Sequence, residues 1–112
     1  MRFTVSMKEN RDFRRLYSSG KTSVCGLLAV YTRKNRLEYN RLGITVGTKL
    51  GGAVVRNRVR RRIREAYRLE ESSLRTGYDI VVVARMKAAE ADYAHLRQSL
   101  IHTLGKLGLL GV

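Results

Sequence analysis

The sequence predicts an α/β (α+β) two-layer sandwich, with helices packed on one sheet in the order α-β-β-(β)-α-β-α. Three observations carry this. Apolar residues recur at helical spacing in three segments and at strand spacing or in short runs in the others. No linker divides the two kinds: the chain has no proline, low-complexity tract or internal repeat. Its 112 residues suit one domain, 1–112, built on a single core.

The first helix falls at about residues 9–18, where Phe13, Leu16 and Tyr17 share a face at i, i+3 and i+4 and Gly20 stands near the C-terminal cap. Val24 to Thr32 is apolar and β-branched enough for a strand, with room for a short one ahead of it at Lys21 to Ser23. Polar residues 33–40 read as a turn or loop. Leu42, Ile44 and Val46 alternate with Gly43, Thr45 and Gly47 as in a half-buried strand. These strands follow one another without a helix, which predicts an antiparallel meander.

Gly51 and Gly52 break the chain before a helix of about 16 to 20 residues from Ala53, whose Val55, Val59, Ile63, Ala66 and Tyr67 form one apolar stripe. Residues 78–84 read as a buried, central strand. A last helix at about 91–107 carries Tyr93, Leu96, Leu100, Leu104 and Leu107 on one face.

Charge narrows the function. Twenty-three Lys and Arg stand against nine Asp and Glu, a net charge of +14, and seventeen of the bases are arginine. Arginine's planar donor fork grips phosphate bidentately and stacks on bases, so nucleic acid is the expected partner class. No apolar run reaches the roughly 18 residues that cross a bilayer, and Met1 to Ser6 lacks the apolar stretch of a signal peptide. A single cysteine, Cys25, excludes an internal disulfide. These features lead us to expect a cytoplasmic protein with no membrane partner.

The charge concentrates between positions 56 and 68, where seven arginines accompany one acid, Glu65. On a helix Arg56, Arg60 and Arg64 form one i, i+4 row, Asn57, Arg61 and Arg68 lie along a neighbouring one, and Arg58 and Arg62 flank the other side of the stripe. Like charges at this spacing destabilise an isolated helix, and a bound polyanion relieves that repulsion. Lys49-Leu50-Gly51-Gly52 precedes the helix, where free N–H groups attract phosphate. Asn57 is a poor helix former; its amide could reach a phosphate, a 2′-hydroxyl or a metal-bound water, or simply face solvent.

The stretch from Lys49 to Arg68, with Arg56-Asn57-Arg58, an apolar residue, a basic run and Tyr67, resembles the signature of the bacterial ribonuclease P protein component. The likeness extends through Asp12-Phe13 to Gly20, Tyr31, Leu42 to Val46, and the last strand and helix. It implies a fold like the second domain of ribosomal protein S5, with a left-handed β-α-β crossover where the general rule favours the right-handed one. It also implies that Arg56, Asn57, Arg58, Arg60, Arg61, Arg62, Arg64 and Arg68 contact a catalytic RNA subunit. Phe13, Tyr17 and Tyr31 would line a cleft for the single-stranded 5′ leader of precursor tRNA, with Lys49 near its path. An aromatic, basic groove suits such a strand, because every base has a face to stack. Without the resemblance, core packing would be the preferred role of Phe13 and Tyr17.

Two features depart from the family's usual pattern: only Arg2 and Lys8 supply charge ahead of Asn10, and Gly52 stands where a bulkier residue is common. The resemblance places catalysis on RNA, with Mg²⁺ held chiefly by the RNA subunit and substrate, no catalytic residue on the protein, and no obligate protein partner.

Two other readings compete. A ribosomal or ribosome-associated RNA binder would share the charge and fold class but would not require the Arg56-Asn57-Arg58 start or an aromatic cleft. A protein ribonuclease could use His95 and His102, seven apart on the last helix, although no acid or lysine cluster completes a site there. Cys25 reads as a small core residue without metal-ligand spacing, and Asp79 as a polar strand-end residue.

Overall fold

In the computed structural model, which describes residues 1–111, one mixed sheet carries helices on both faces. The elements are β1 (Thr4–Ser6), α1 (Asn10–Ser19), β2 (Lys21–Val24), β3 (Leu28–Lys34), β4 (Asn40–Thr45), α2 (Ala53–Glu70), β5 (Tyr78–Ala84) and α3 (Tyr93–Lys106). The strand order is β1-β4-β5-β3-β2, so β5 is central as expected.

Two expectations need correction. Cys25, Gly26 and Leu27 interrupt the predicted strand from Val24 to Thr32, and β2 turns back on β3 as an antiparallel hairpin. Cys25 is therefore a turn residue rather than a strand residue, half-buried against the core, with its Sγ accepting the Leu28 N–H at 3.4 Å. The meander also ends at β3, because β5 inserts between β3 and β4, antiparallel to the first and parallel to the second. Adjacent in sequence, β3 and β4 do not pair with each other: β3 bonds to β2 and β5, and β4 to β1 and β5, whose run from Ile80 to Ala84 is apolar on both faces. The β4–α2–β5 unit is the parallel crossover to which the resemblance attaches its unusual hand. Strand β1, which three residues were too few to announce, pairs in parallel with β4 at the sheet's edge.

Alternation along the strands makes two apolar faces. Leu28, Val30, Leu42, Ile80, Val82 and Ala84 face α2 and α3, whose Val59, Ile63, Ala66, Tyr67, Leu96, Leu100 and Leu104 complete the main core. That sheet and those two helices are the two layers. Helix α1 lies across the opposite face, where Leu16 is buried with Met7 and Val81 beside Phe13 and Tyr31.

Gly43 permits that second contact. A Cβ built on it would lie 2.5 Å from Cε1 and Cζ of the Phe13 ring, so the ring rests on bare backbone. Asp12 and Leu16, also on α1, are buried on the same side. Asp79 is buried too, and it is more than a strand-end polar residue. Its carboxylate accepts Arg41 Nε at 2.7 Å and Nη2 at 2.6 Å, and the Asn35 amide at 3.0 Å. Arg41 Nη1 reaches Asp12 at 3.3 Å, which links β5, β4 and α1 through one guanidinium.

Strand β1 is held by polar contacts. Glu71, buried after α2, accepts the N–H groups of Arg2 at 2.8 Å and Phe3 at 3.1 Å. The Tyr67 hydroxyl, in the core, meets Thr4 Oγ1 at 2.9 Å. Burial pushes the Glu71 carboxyl up, but the Thr4 hydroxyl and the two backbone donors outweigh it and leave the group below its ordinary value.

Two expectations follow for folding. Gly43→Ala should destabilise the domain by about 1–3 kcal/mol, as overpacking does, measured by urea unfolding; an unchanged midpoint would mean that Phe13 does not rest on this strand. Because Glu71 is depressed in the folded state, its stabilisation is full above the ordinary value of 4.5 and is lost as pH falls through the lower, folded value. The stability advantage of wild type over Glu71→Gln should therefore shrink on acidification through that window; a constant difference would show that the carboxylate charge is not what anchors β1.

Candidate nucleic-acid interface

Helix α2 sets the geometry. Val59, Ile63, Ala66 and Tyr67 are at most 1% exposed, so the helix cannot rotate without losing about 1.5–3 kcal/mol for each large side chain uncovered. Its start is equally fixed. Gly51 adopts φ 145°, which disfavours any side chain, and Gly52 precedes Ala53 without a side-chain cap on the first N–H groups. With the stripe buried, each arginine's direction is determined.

The arginines divide into three sets. Arg58 Nη2 donates to the Ala89 carbonyl at 3.4 Å and Arg62 Nη1 to the Ala91 carbonyl at 3.0 Å, which binds α2 to the segment between β5 and α3. Arg68 forms a two-point ion pair with Glu65, at 2.6 and 2.9 Å, and that hydrogen-bonded pair lowers the Glu65 carboxyl below its ordinary value. Arg56, Arg60, Arg61 and Arg64 make no ion pair among the described residues. Arg56 donates to the Gly51 carbonyl at 3.2 Å and Arg60 to Asn57 Oδ1 at 3.3 Å, leaving their charges unneutralised. Asn57 thus steadies Arg60, a role not read from the sequence.

A groove runs along the β1–β4 edge, where α1 and α2 both reach it. Arg60 and Arg64 form one wall, Phe13 the other, and Ser6, Met7 and Leu42 to Ile44 the floor. It continues past Phe13 and Arg60 to Tyr17, Arg14 and Asn10 on α1 and Thr45 on β4. Tyr17 is 41% exposed, and its hydroxyl meets Thr45 Oγ1 at 2.9 Å, which fixes the ring's outer edge. Tyr31 packs edge-on to Tyr17 with ring centroids 5.0 Å apart. Phe13 and Tyr17 therefore offer aromatic surface to the groove, whereas Tyr31, half-buried beside Leu16, supports Tyr17 from beneath.

Lys49 stands exposed on the 3-10 turn Thr48–Leu50, outside the groove lining. Arg14 and Asn10 are groove residues that sequence reasoning missed. Both lie on the helical face of Tyr17, at i−3 and i−7, so their spacing could have revealed them.

Elsewhere the chemistry is sparse. His95 and His102 share a shallow recess with Cys25, Lys87 and Glu90, none of them groove residues. His95 Nδ1 lies 2.9 Å from Asp92, the residue that caps α3 through the His95 N–H. Among the described residues no group of three or more His, Cys, Asp or Glu side chains is placed to hold a metal ion. No helix is long and apolar enough to cross a membrane.

The groove sets the rings of Phe13 and Tyr17 opposite the guanidinium groups of Arg60 and Arg64, which have no ion-pair partner among the described residues, and its described lining holds no His, Cys, Asp or Glu. Comparison with known proteins identifies the family. The family model for ribonuclease P matches residues 1–108. The ribonuclease P protein component of Alkaliphilus metalliredigens is 41% identical over 110 residues, covering 98% of this chain and 99% of its own. That of Caldanaerobacter subterraneus is 46% identical over 105 residues, covering 94% and 90%. The ribonuclease P protein of Staphylococcus aureus superposes with a TM-score of 0.88 at 36% identity, covering 95% of this chain and 97% of that one. The chain belongs to the ribonuclease P protein family.

Proposed function

We propose that the chain binds the catalytic RNA of ribonuclease P through α2 and holds the single-stranded 5′ leader of precursor tRNA in the groove between α1 and α2. Family membership makes it a protein component of an endoribonuclease that processes tRNA, with the ribonuclease P RNA as its partner. The observation that carries the finer reading is the facing of Phe13 and Tyr17 by Arg60 across one groove.

Bases of any identity can stack on the two rings, while Arg60, Arg64 and Arg14 meet the backbone phosphates. Arg56 and Arg61, outside the groove lining, remain for the RNA subunit. Arg58, Arg62 and Arg68 are engaged with protein groups and act mainly by orienting α2 and adding to its field. This reading assigns Mg²⁺ to RNA phosphates; among the described residues no group of three or more His, Cys, Asp or Glu is placed to hold a metal ion. When bound there, the ion supplies an activated water for phosphodiester hydrolysis. The protein's own contribution is to lower the electrostatic cost of bringing two polyanions together and to align the leader.

Reconstitution tests this. Protein with the catalytic RNA should cleave precursor tRNA at lower Mg²⁺ than the RNA alone; absence of stimulation would sink the assignment, and cleavage by protein alone would transfer the chemistry to His95 and His102. Arg60→Ala should weaken precursor binding by about 1–2 kcal/mol without unfolding the domain, as loss of a charge-assisted contact does. It should also reduce the log–log salt slope by about 0.7–0.9, the share of one phosphate contact. Tyr17→Ala should weaken binding of precursor but not of mature tRNA; equal losses on both would remove the ring from the leader's path.

A further inference from the structure

Helix α1 has two flanks, and only one of them belongs to the groove already described. On the other, Arg15 from α1, Arg33 and Lys34 from β3, Arg36 from the following turn and Arg41 from β4 line a second recess, with Asp79 as its one carboxylate. Two acids, Asp79 and Asp12, are near enough to neutralise these charges, and both are occupied by Arg41. Arg15, Arg33, Lys34 and Arg36 form no ion pair among the described residues, and all four are exposed. Left uncompensated, four such cations at one place repel one another, and an anion with several phosphates would relieve that.

The recess is held in shape. Asn35 Oδ1 accepts the Leu37 N–H at 2.8 Å, while its amide donates to the Tyr39 carbonyl and to Asp79. That clasp fixes the turn with Arg36 at φ 61°, a conformation uncommon for a side-chain-bearing residue. Arg33 Nη1 lies 3.4 Å from Ser19 Oγ, so it is steered toward the end of α1. Unlike the aromatic groove, this recess has no ring in its lining. It suits a phosphate backbone and no particular base.

Its position selects the occupant. Arg41, Asp79 and Arg33 are in register across three neighbouring strands, and Thr45, Val83 and Ala29 are in register four residues away. Thr45 lines the aromatic groove, so the two recesses open on one sheet face, roughly 13 Å apart along the strands. A single strand leaving Tyr17 reaches the second recess by passing α1, about 10–12 Å across.

We propose that this recess is a second phosphate site, which takes the part of the leader upstream of the stretch seated against Phe13 and Tyr17. The proposal rests on the leader reading of the first groove.

The test uses holoenzyme reconstituted with the catalytic RNA and precursors carrying no leader, a leader of about five nucleotides or one of about fifteen, spanning the 4–16 nucleotides typical of single-strand modules. For wild type the longest leader should bind about three- to tenfold tighter than the short one, with a salt slope steeper by about 1.4 for two added phosphates. Arg33→Gln with Lys34→Gln, both at exposed positions, should remove that increment and leave the short leader unchanged. An increment that survives the substitutions overturns the proposal, as does the absence of any increment in wild type. A loss equal on all three substrates also overturns it and moves the contact to the RNA subunit. Tyr17→Ala in parallel separates the two readings: if it leaves the short leader's affinity intact, the first groove's assignment fails, whatever the double variant does.

Discussion

Burial of one face of α2 against the sheet is the constraint from which the interface follows. Seven arginines on one helix could point anywhere if the helix were free to turn about its axis. Val59, Ile63, Ala66 and Tyr67 remove that freedom, since any rotation would expose several of them to water. The cost of holding like charges together is met by apolar packing on the hidden side. Tyr67 extends the constraint, because its hydroxyl reaches Thr4 and Asn40 and so connects the basic helix to the two strands that floor the groove.

Within that frame the arginines cease to be equivalent. Arg58 and Arg62 satisfy backbone carbonyls of the segment before α3, and Arg68 is engaged by Glu65. Arg60 and Arg64 are turned to the groove without an ion-pair partner among the described residues, which on the proposed function leaves their charge for an anion. A comparable sorting occurs beneath α1. Arg41 is committed to Asp79 and Asp12, whereas its neighbours Arg15, Arg33, Lys34 and Arg36 are not. Composition counts these groups alike, and only their partners distinguish them.

Much of this was legible from residue order. The stripe of α2, the Gly51–Gly52 break before it and the apolar run of β5 depend on local periodicity, and each lies where spacing predicts. The pairing of β4 with β5 depends on contacts between segments far apart in sequence, which periodicity does not encode, and the meander expected from chain order therefore failed. Strand β1 carries too few residues for a pattern, and its anchor Glu71 is an acid that looks like surface until its two backbone donors are seen. Phe13 and Tyr17 had a legible face, but the same face could serve a core. Gly43, which lets the Phe13 ring lie on the strand, resembled any small residue in an alternating segment.

The strand order bears on synthesis as well. Strands β3 and β4 meet only through β5, which begins at Tyr78, so the first seventy residues of a nascent chain contain the β2–β3 hairpin, the β1 and β4 strands and an arginine-dense segment, without the central strand that joins them. Non-local closure of this kind makes assembly cooperative and late. The basic segment is consequently complete before the central strand of the surface that orients it exists. The repulsion within α2 is then opposed by no packing, and on the proposed function an RNA that neutralised it would favour the helix before its apolar face is covered.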